Sequence, residues 1–523
     1  MFRLFKEKRV LILLLVILAI ASFFRLWQLD LIPPGLYPDE AINGNDAISA
    51  LKTGNFKVFY PENNGREGLF INLISLSFGI FGISVWSLKI VGALLGIFTV
   101  LGLFLLTREL FNKNIALLSS FFLAVSFWHV NFSRIGFRGI FVPFILVFVF
   151  YFLFRGFRTK RIWNFIISGV FFGLGFHTYI SFRLSVLILF VVLLSWLFVY
   201  LKEKQTRKFL LFTACCLLFT FIVALPIGIY FLQNSGDFIG RATGVSIFNA
   251  QNPIKALGES LILHLGMFNF YGDSNWRHNF APSPQLLWPV GILFLIGFIA
   301  SIREFILSIK KRRGSLFIVN CLLLSWFFIM LLPGILTSEG IPHALRVIGT
   351  IPAVYIFAGL GGWHIYNWFY RNVSRKKLLV FTSIFVLFTI AFLQLDKYFI
   401  KWSSLPETKG AFSRNYVDIG NYLNSLSLET QKYVIVNQGG VPVPYSDGIP
   451  MPAQTIMFIE STKFNHPQST YLLPENINQI KINDRRTVIV PMNYDQKIFS
   501  KLEFMFPQGK IQKKDELWMY FIK

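Results

Sequence analysis

Long apolar runs alternate with short basic clusters along the chain, and this alternation sets the expected architecture. The runs fall near residues 10–27, 85–106, 114–130, 139–154, 162–177, 184–200, 209–230, 286–302, 315–332, 346–362 and 378–394. Each is close to the length an α-helix needs to cross a hydrocarbon core. A further run, Leu69 to Gly82, is shorter and carries Asn72, Ser75, Ser77 and Gly79, so it reads as re-entrant or juxtamembrane. Parity supports that reading. With about eleven spans, Arg108/Lys113, Arg155/Arg158/Lys160/Arg161, Lys202/Lys204/Arg207/Lys208, Arg303/Lys310/Lys311/Arg312/Arg313 and Arg371/Arg375/Lys376/Lys377 all share the side of the basic N-terminus, as the positive-inside rule requires. One more span would move every cluster outside. The pattern predicts a cytoplasmic N-terminus, an extracytoplasmic C-terminus, and outer loops at 28–82, 131–138, 177–183, 231–285 and 333–345. Ala19-Ile20-Ala21 resembles a signal-peptidase site, but the apolar run continues through Phe23, Phe24, Leu26 and Trp27, so the first helix is expected to be retained.

The period changes after Leu395. KYVIVN, STYLL, TVIVPM and LWMYFI read as short β-strands, and NYVDIGNYLNSL as an amphipathic helix. The expected division is a multi-span domain at 1–394, including a first outer loop at 28–84, and a soluble extracytoplasmic α/β domain at 395–523 of roughly 125 residues. No Gly-rich phosphate loop opens a helix there; Gln438-Gly439-Gly440-Val441-Pro442 runs into prolines. The domain therefore reads as a cap or acceptor platform.

Composition agrees with a polytopic membrane protein: 54% of residues are hydrophobic, above the soluble range. The net charge of +24 is concentrated between the spans, which assigns it to topology and excludes nucleic acid as the expected partner. Cys215, Cys216 and Cys321 lie inside apolar runs, so neither a disulfide framework nor a thiolate metal site is expected.

One stretch departs from the apolar pattern in a way that points to chemistry. Trp27 to Phe70 carries Asp30, Asp39, Glu40, Asp46, Glu62 and Glu67 among Pro, Gly, Asn and aromatic residues. Charge beside a membrane is costly and is retained where it functions. A carboxylate here can serve as a general base or cap a helix; Asp39, after Pro38, suits either role. Asp46 is expected on the solvated face of the helix that follows.

Tyr37-Pro38-Asp39-Glu40-Ala41 resembles the Asp-Glu motif of GT-C glycosyltransferases, in the branch of protein O-mannosyltransferases and the aminoarabinose transferases of lipid A. Glu62-Asn63-Asn64-Gly65-Arg66-Glu67-Gly68-Leu69 resembles their Asn/His-Gly-Lys-Pro-Pro-Leu segment. Phe81-Gly82-Ile83-Ser84 and Thr107-Arg108-Glu109-Leu110-Phe111 fit the second-helix region. The resemblance covers about residues 10–160. Arg66 stands where the family has Lys, Glu67-Gly68 replaces its Pro-Pro pair, and Ile42-Asn43-Gly44 replaces its Arg and Tyr-Ala.

The resemblance implies transfer of a sugar from a polyprenyl phosphate to an extracytoplasmic hydroxyl, with inversion. Asp39 would be the base and Glu40 its orienting or acceptor-binding neighbour. The lipid phosphate leaves as an anion, so it needs cations rather than an acid, and Arg suits phosphate. Arg66, Arg134, Arg138 and Arg346 are the candidates for that role; snorkelling to headgroups is the competing one. Glu62, Asn64, Glu339 and His343 are possible substrate contacts. Arg183 and His177 read as interface residues, and Trp276, Trp288, Tyr179 and Tyr271 as an aromatic belt.

No metal or other cofactor is expected. The seven histidines show no ligand spacing. Ser133-Arg134 resembles oligosaccharyltransferases of the same superfold, but Ile140-Phe141 stand where those carry a metal-binding acid, and their Trp-Trp-Asp motif is absent. Two other classes remain open from sequence: a transporter or lipid flippase, which predicts paired repeats and mid-span polar groups that are not seen, and a non-catalytic envelope scaffold. The expected partners are membrane lipid, a polyprenyl-phosphate sugar and a protein, lipid or glycan acceptor.

Overall fold

A computed structural model describes residues 2–311, 314–444, 448–483 and 485–523. Arg312 and Arg313 of the predicted basic clusters lie outside the described residues, as does Met1. Packing divides the chain into two compact units that do not follow chain order: residues up to Trp27 with Gly92–Trp402, and Gln28–Val91 with Ser403–Lys523. The loop expected to belong with the spans thus packs instead with the C-terminal segment.

The first unit is helical. It contains α1 (Phe2–Leu26), then, after α2 (Pro38–Thr53) and α3 (Leu69–Phe81) of the other unit, most of α4 (Val85–Leu110). There follow α5 (Lys113–Val125), α6 (Phe127–Arg134), α7 (Phe141–Thr159), α8 (Ile162–Gly175), α9 (Ser185–Lys202), α10 (Thr206–Gln233), α11 (Ser235–Gly244), α12 (Pro253–Gly266), α13 (Trp288–Lys310), α14 (Gly314–Ile335), α15 (Ile351–Asn372) and α16 (Lys376–Leu395). Among the described residues nine helices are long and apolar enough to cross a membrane. A tenth span results if α5 and α6, bent by 57°, are one broken helix. The remaining predicted span, α8, has 14 residues, and α3 has 13. The protein is a multi-pass membrane protein.

The break between α5 and α6 is stabilised by an exchange of arginines. Ser126 leaves helical geometry and caps α6 through its hydroxyl, which accepts from the His129 N–H. This frees the last carbonyls of α5, which need donors in a setting without water. Arg25, from the end of α1, donates to the carbonyls of Ala124 at 2.8 Å and Leu123 at 3.3 Å. Arg134, from the end of α6, donates in return to the carbonyls of Phe24 at 3.1 Å and Trp27 at 2.7 Å, at the end of α1. Each cation thus meets the negative end of a helix other than its own, α5 for Arg25 and α1 for Arg134. Gly96 makes room for this exchange, since a Cβ there would lie 2.2 Å from Ser133 Oγ and 2.9 Å from Arg25 Nε.

The second unit joins α2, α3 and a two-stranded hairpin, β1 (Phe59–Tyr60) with β2 (Arg66–Glu67), to the C-terminal segment. That segment contains α17 (Pro406–Ala411), α18 (Arg414–Ser425), β3 (Gln431–Ile435), α19 (Gln454–Phe464), β4 (Thr470–Leu472), β5 (Thr487–Pro491), α20 (Gln496–Met505), β6 (Lys510–Lys514) and β7 (Leu517–Ile522). The strand order is β4-β3-β5-β7-β6, with β3 parallel to β4 and β5, and β7 antiparallel to β5 and β6. The four predicted strands and the amphipathic helix are present. β6 was not predicted: its polar KIQKK sequence is an exposed edge, where polar and charged side chains are the usual content.

The face of α2 that reads as polar is what holds the loop in place. Asn45 Nδ2 donates to the side-chain oxygen of Gln454 at 2.8 Å, and Thr455 Oγ1 donates to the Leu36 carbonyl at 3.1 Å. Gly44 lies so close to Phe458 that a Cβ would approach the ring to 2.4 Å.

Candidate active site

The loop's carboxylates are sorted by α2 and the hairpin. Pro38 opens α2, with Tyr37 as its N-cap residue. Asp39 therefore sits in the first turn rather than capping, where the helix dipole favours its charge. Glu40 is fully buried, and its Oε1 accepts from the Tyr37 backbone N–H at 3.3 Å, as in a capping box. Asp46, two turns on, is not solvated as its place in the sequence suggests. It is 6% exposed and accepts from Arg66 Nη2 at 2.5 Å. The reason is tertiary: the hairpin carries Arg66 over this face of α2.

Arg66 is also 1% exposed and donates to Asn43 Oδ1 at 2.9 Å and to the Glu62 carbonyl at 3.2 Å. Its guanidinium is thus engaged within the loop, while Glu62 Oε2 lies 3.9 Å from it and makes no hydrogen bond among the described residues. Between the strands, Asn63, Asn64 and Gly65 all have positive φ. For the two asparagines this is a costly backbone state that local contacts must hold. One such contact is Asn63 Nδ2 donating to Asp39 Oδ1 at 2.9 Å. Asn64 is exposed. The structure therefore gathers Asp39, Asn63, Glu62, Arg66 and Asp46, and leaves Asp39 half-buried with an oxygen directed by an amide donor.

The other predicted residues lie in the first unit. Arg134 is completely buried in the arginine exchange, with its guanidinium also over the rings of Tyr398 and Phe399. Arg138 is half-buried, its guanidinium 5.3 Å from the centroid of Tyr179. Arg346 donates to Glu339 through the carbonyl and Oε2, both at 2.9 Å, and Glu339 is 72% exposed. Such an exposed pairing is weak. His343 lies beside this pair, its Nδ1 facing the Arg346 N–H at 3.4 Å.

Around His343 the fold assembles a group that no spacing in the sequence announces. Asp273, His278 and His343 place one donor atom each within 4.8 Å of one another. His278 Nδ1 donates to Asp273 Oδ2 at 2.9 Å, and the same oxygen accepts from the Ala344 N–H at 2.7 Å. Asp273 Oδ1 accepts from the Asn275 N–H at 2.8 Å. The hydrogen bond from Nδ1 to the carboxylate fixes the His278 ring, the arrangement that orients an imidazole as a base or metal ligand. Burial pushes the His343 imidazole well below its ordinary value, and the neighbouring His278, Arg346, His264 and Arg277 push it the same way. It is neutral near pH 7. The signal available in sequence was only a His at each end of a 65-residue separation, which proximity in the fold alone makes meaningful.

Residues 69–230 match the protein family described as dolichyl-phosphate-mannose-protein mannosyltransferase. The structure resembles ArnT from Cupriavidus metallidurans bound to undecaprenyl phosphate, with a TM-score of 0.57, 12% identity and 97% of each chain covered. It resembles apo ArnT of the same organism with a TM-score of 0.56 and 11% identity, over 99% of this chain and 98% of that one. The chain has the GT-C fold.

The apo oligosaccharyltransferase of Archaeoglobus fulgidus is a further GT-C neighbour, with a TM-score of 0.51 and 14% identity, over 86% of this chain and 64% of that one. No curated protein matches the chain by sequence. The family match includes Arg134 and Arg138 but begins after Asp39, Glu40 and Arg66. The geometry of α2 and the hairpin is thus independent of that match.

Proposed function

We propose that this GT-C protein transfers a sugar from a polyprenyl-phosphate donor to an extracytoplasmic hydroxyl, with Asp39 as general base. The observation that carries the reading is the sorting of the loop carboxylates. Asp46 is paired with Arg66, Glu40 holds the Tyr37 backbone, and Asp39 remains half-buried with one oxygen fixed by Asn63. Similarity to an ArnT structure holding undecaprenyl phosphate supports a lipid-phosphate donor.

In this reaction Asp39 takes the proton of the acceptor hydroxyl as its oxygen attacks the anomeric carbon. The bond from that carbon to the phosphate oxygen breaks, and its electron pair leaves with the polyprenyl phosphate, which needs no proton. Attack opposite the leaving group inverts the anomeric centre. Half-buried Arg138 and Arg346 are the cations proposed for the lipid phosphate, and Arg66 and Arg134 are assigned to holding the loop and the helix break. Glu62, Asn64, Glu339 and His343 are proposed substrate contacts. The N-terminus is proposed to be cytoplasmic and the C-terminal segment extracytoplasmic, from the distribution of basic clusters.

The test is transfer from radiolabelled polyprenyl-phosphate sugars in membranes containing wild type or Asp39→Asn at equal abundance. Wild-type transfer with a loss of at least about a hundredfold in the variant is expected for removal of a general base. Equal transfer by both would move the base elsewhere, with Glu62 and the Asp273–His278 pair next. No transfer from any donor by wild type would overturn the reading.

A further inference from the structure

The last membrane-length helix ends in a π-helical turn, Asp396–Trp402. Such turns are uncommon and are often found at functional sites, because they re-aim side chains without ending the helix. Here the wider turn brings residues five apart together: Asp396 Oδ2 meets Lys401 Nζ at 2.6 Å. Lys397, adjacent to Asp396 in sequence, faces elsewhere. Its Nζ lies 5.3 Å from the ring centroid of Phe127 and 5.5 Å from that of Phe280. It has no hydrogen bond or ion pair among the described residues, and it is half-buried rather than extended into solvent.

The platform around it is rigid. Trp402 Nε1 donates to the Trp276 carbonyl at 3.1 Å, Asn131 Nδ2 to the Arg277 carbonyl at 2.6 Å, and Tyr398 Oη to Asn131 Oδ1 at 3.4 Å. These bonds tie the π turn to α6 and to the loop carrying Phe280. A snorkelling lysine would extend its ammonium to water; this one is walled by two aromatic faces. Ring faces offset only part of the loss of hydration of an ammonium, whereas a phosphate would supply the missing charge and strengthen against the apolar wall. Phe392, Leu393 and Ile400 are exposed on the same helix end, so the apolar part of an amphiphilic ligand has surface to follow.

We infer that Lys397 Nζ binds the phosphate of the lipid donor. This rests on the glycosyltransferase reading above and adds a phosphate-binding residue to it. The experiment measures binding of undecaprenyl phosphate to purified full-length protein in detergent, for wild type, Lys397→Gln, Lys397→Arg and the exposed-surface control Lys409→Gln. Phosphatidylglycerol and inorganic phosphate serve as comparison probes.

The expected result is an increase of about tenfold or more in Kd for undecaprenyl phosphate in Lys397→Gln, partial recovery in Lys397→Arg, and no change in Lys409→Gln. Phosphatidylglycerol and inorganic phosphate should bind weakly and without dependence on residue 397. Lys397→Gln should also unfold at or above the wild-type temperature without ligand, because a half-buried charge without a counter-ion is removed; a lower temperature would mark a structural lysine and overturn the inference. Unchanged affinity in Lys397→Gln would overturn it as well, as would an equal loss of phosphatidylglycerol binding, which marks a general headgroup contact. If wild type binds no undecaprenyl phosphate, the donor reading itself fails, a result distinct from a failure of Lys397 alone.

Discussion

At the scale of residues, burial decides which of the predicted groups are available for chemistry. Asp46 and Arg66 are both buried, so removing one partner strands the other. Asp46→Ala should destabilise the second unit by about 3–5 kcal/mol, and Arg66→Lys should not restore the geometry because an ammonium lacks the planar fork that reaches Asn43 and Asp46 together. Thermal unfolding, with limited proteolysis of the loop, checks both. His343 makes a pH prediction with a definite sign. Its pKa in the fold lies well below the unfolded value near 6.5, so below that value the unfolded chain binds the extra proton. Its contribution is therefore fully present above about pH 6.5 and lost as the pH falls toward the lower folded value. His264 is shifted downward too, chiefly by burial. The unfolding temperature should drop between pH 7.5 and 5, and His343→Gln should reduce that slope; an unchanged slope would assign the acid sensitivity to other groups. Asp39 and Glu40 were readable as a pair from sequence. Their division into an accessible carboxylate and a backbone-bound one required the Tyr37 N–H and the Asn63 amide to be placed.

At the scale of elements, the arginine exchange explains how a helix can break at Ser126 within an apolar run. Two cations, each at the end of a different helix, satisfy the carbonyls that the break and the end of α1 leave over. Gly96→Ala should disturb this by forcing a Cβ against Ser133, at a cost of about 1–3 kcal/mol. Ser133→Gly in the same chain should recover part of it, because the Oγ and the Cβ of Ser133 are the two nearest obstacles while Arg25 Nε remains at 2.9 Å. Unfolding temperatures of the single and double variants give the answer: no recovery would mean that the clash lies elsewhere. Apolar periodicity made the helices legible but not the 57° bend, since Ser126 looks like any small residue in a span. Arg134 likewise reads as a membrane-surface cation until Phe24 and Trp27 are seen to receive it.

At the scale of the whole molecule, the first outer loop and the C-terminal segment pack as one unit although more than 300 residues separate them in the chain. Truncation after Trp402 should therefore expose Gly44, Asn45 and Leu36, whose partners are Phe458, Gln454 and Thr455. Such a protein should still insert in the membrane, because its apolar helices are untouched. Its loop at 28–82 should become sensitive to protease, and transfer activity should be lost. A loop that stays resistant would show that α2 and the hairpin hold themselves without the C-terminal segment.

The amino-acid sequence by itself determined the helical membrane class, the short apolar helix α3, the strands β3, β4, β5 and β7, and the GT-C resemblance. Each of these follows from local information: an apolar run of a given length, an alternation of period two, or a contiguous motif. The tertiary structure decided what depends on distant partners. It paired Asp46 with Arg66, exchanged Arg25 and Arg134 between helix ends, and brought Asp273 and His278 to His343. It also left Lys397 between two rings with its neighbouring carboxylate engaged. Charge and hydrogen bonding act over a few ångströms of space, and nothing in local periodicity reports which residues the fold will place within that reach.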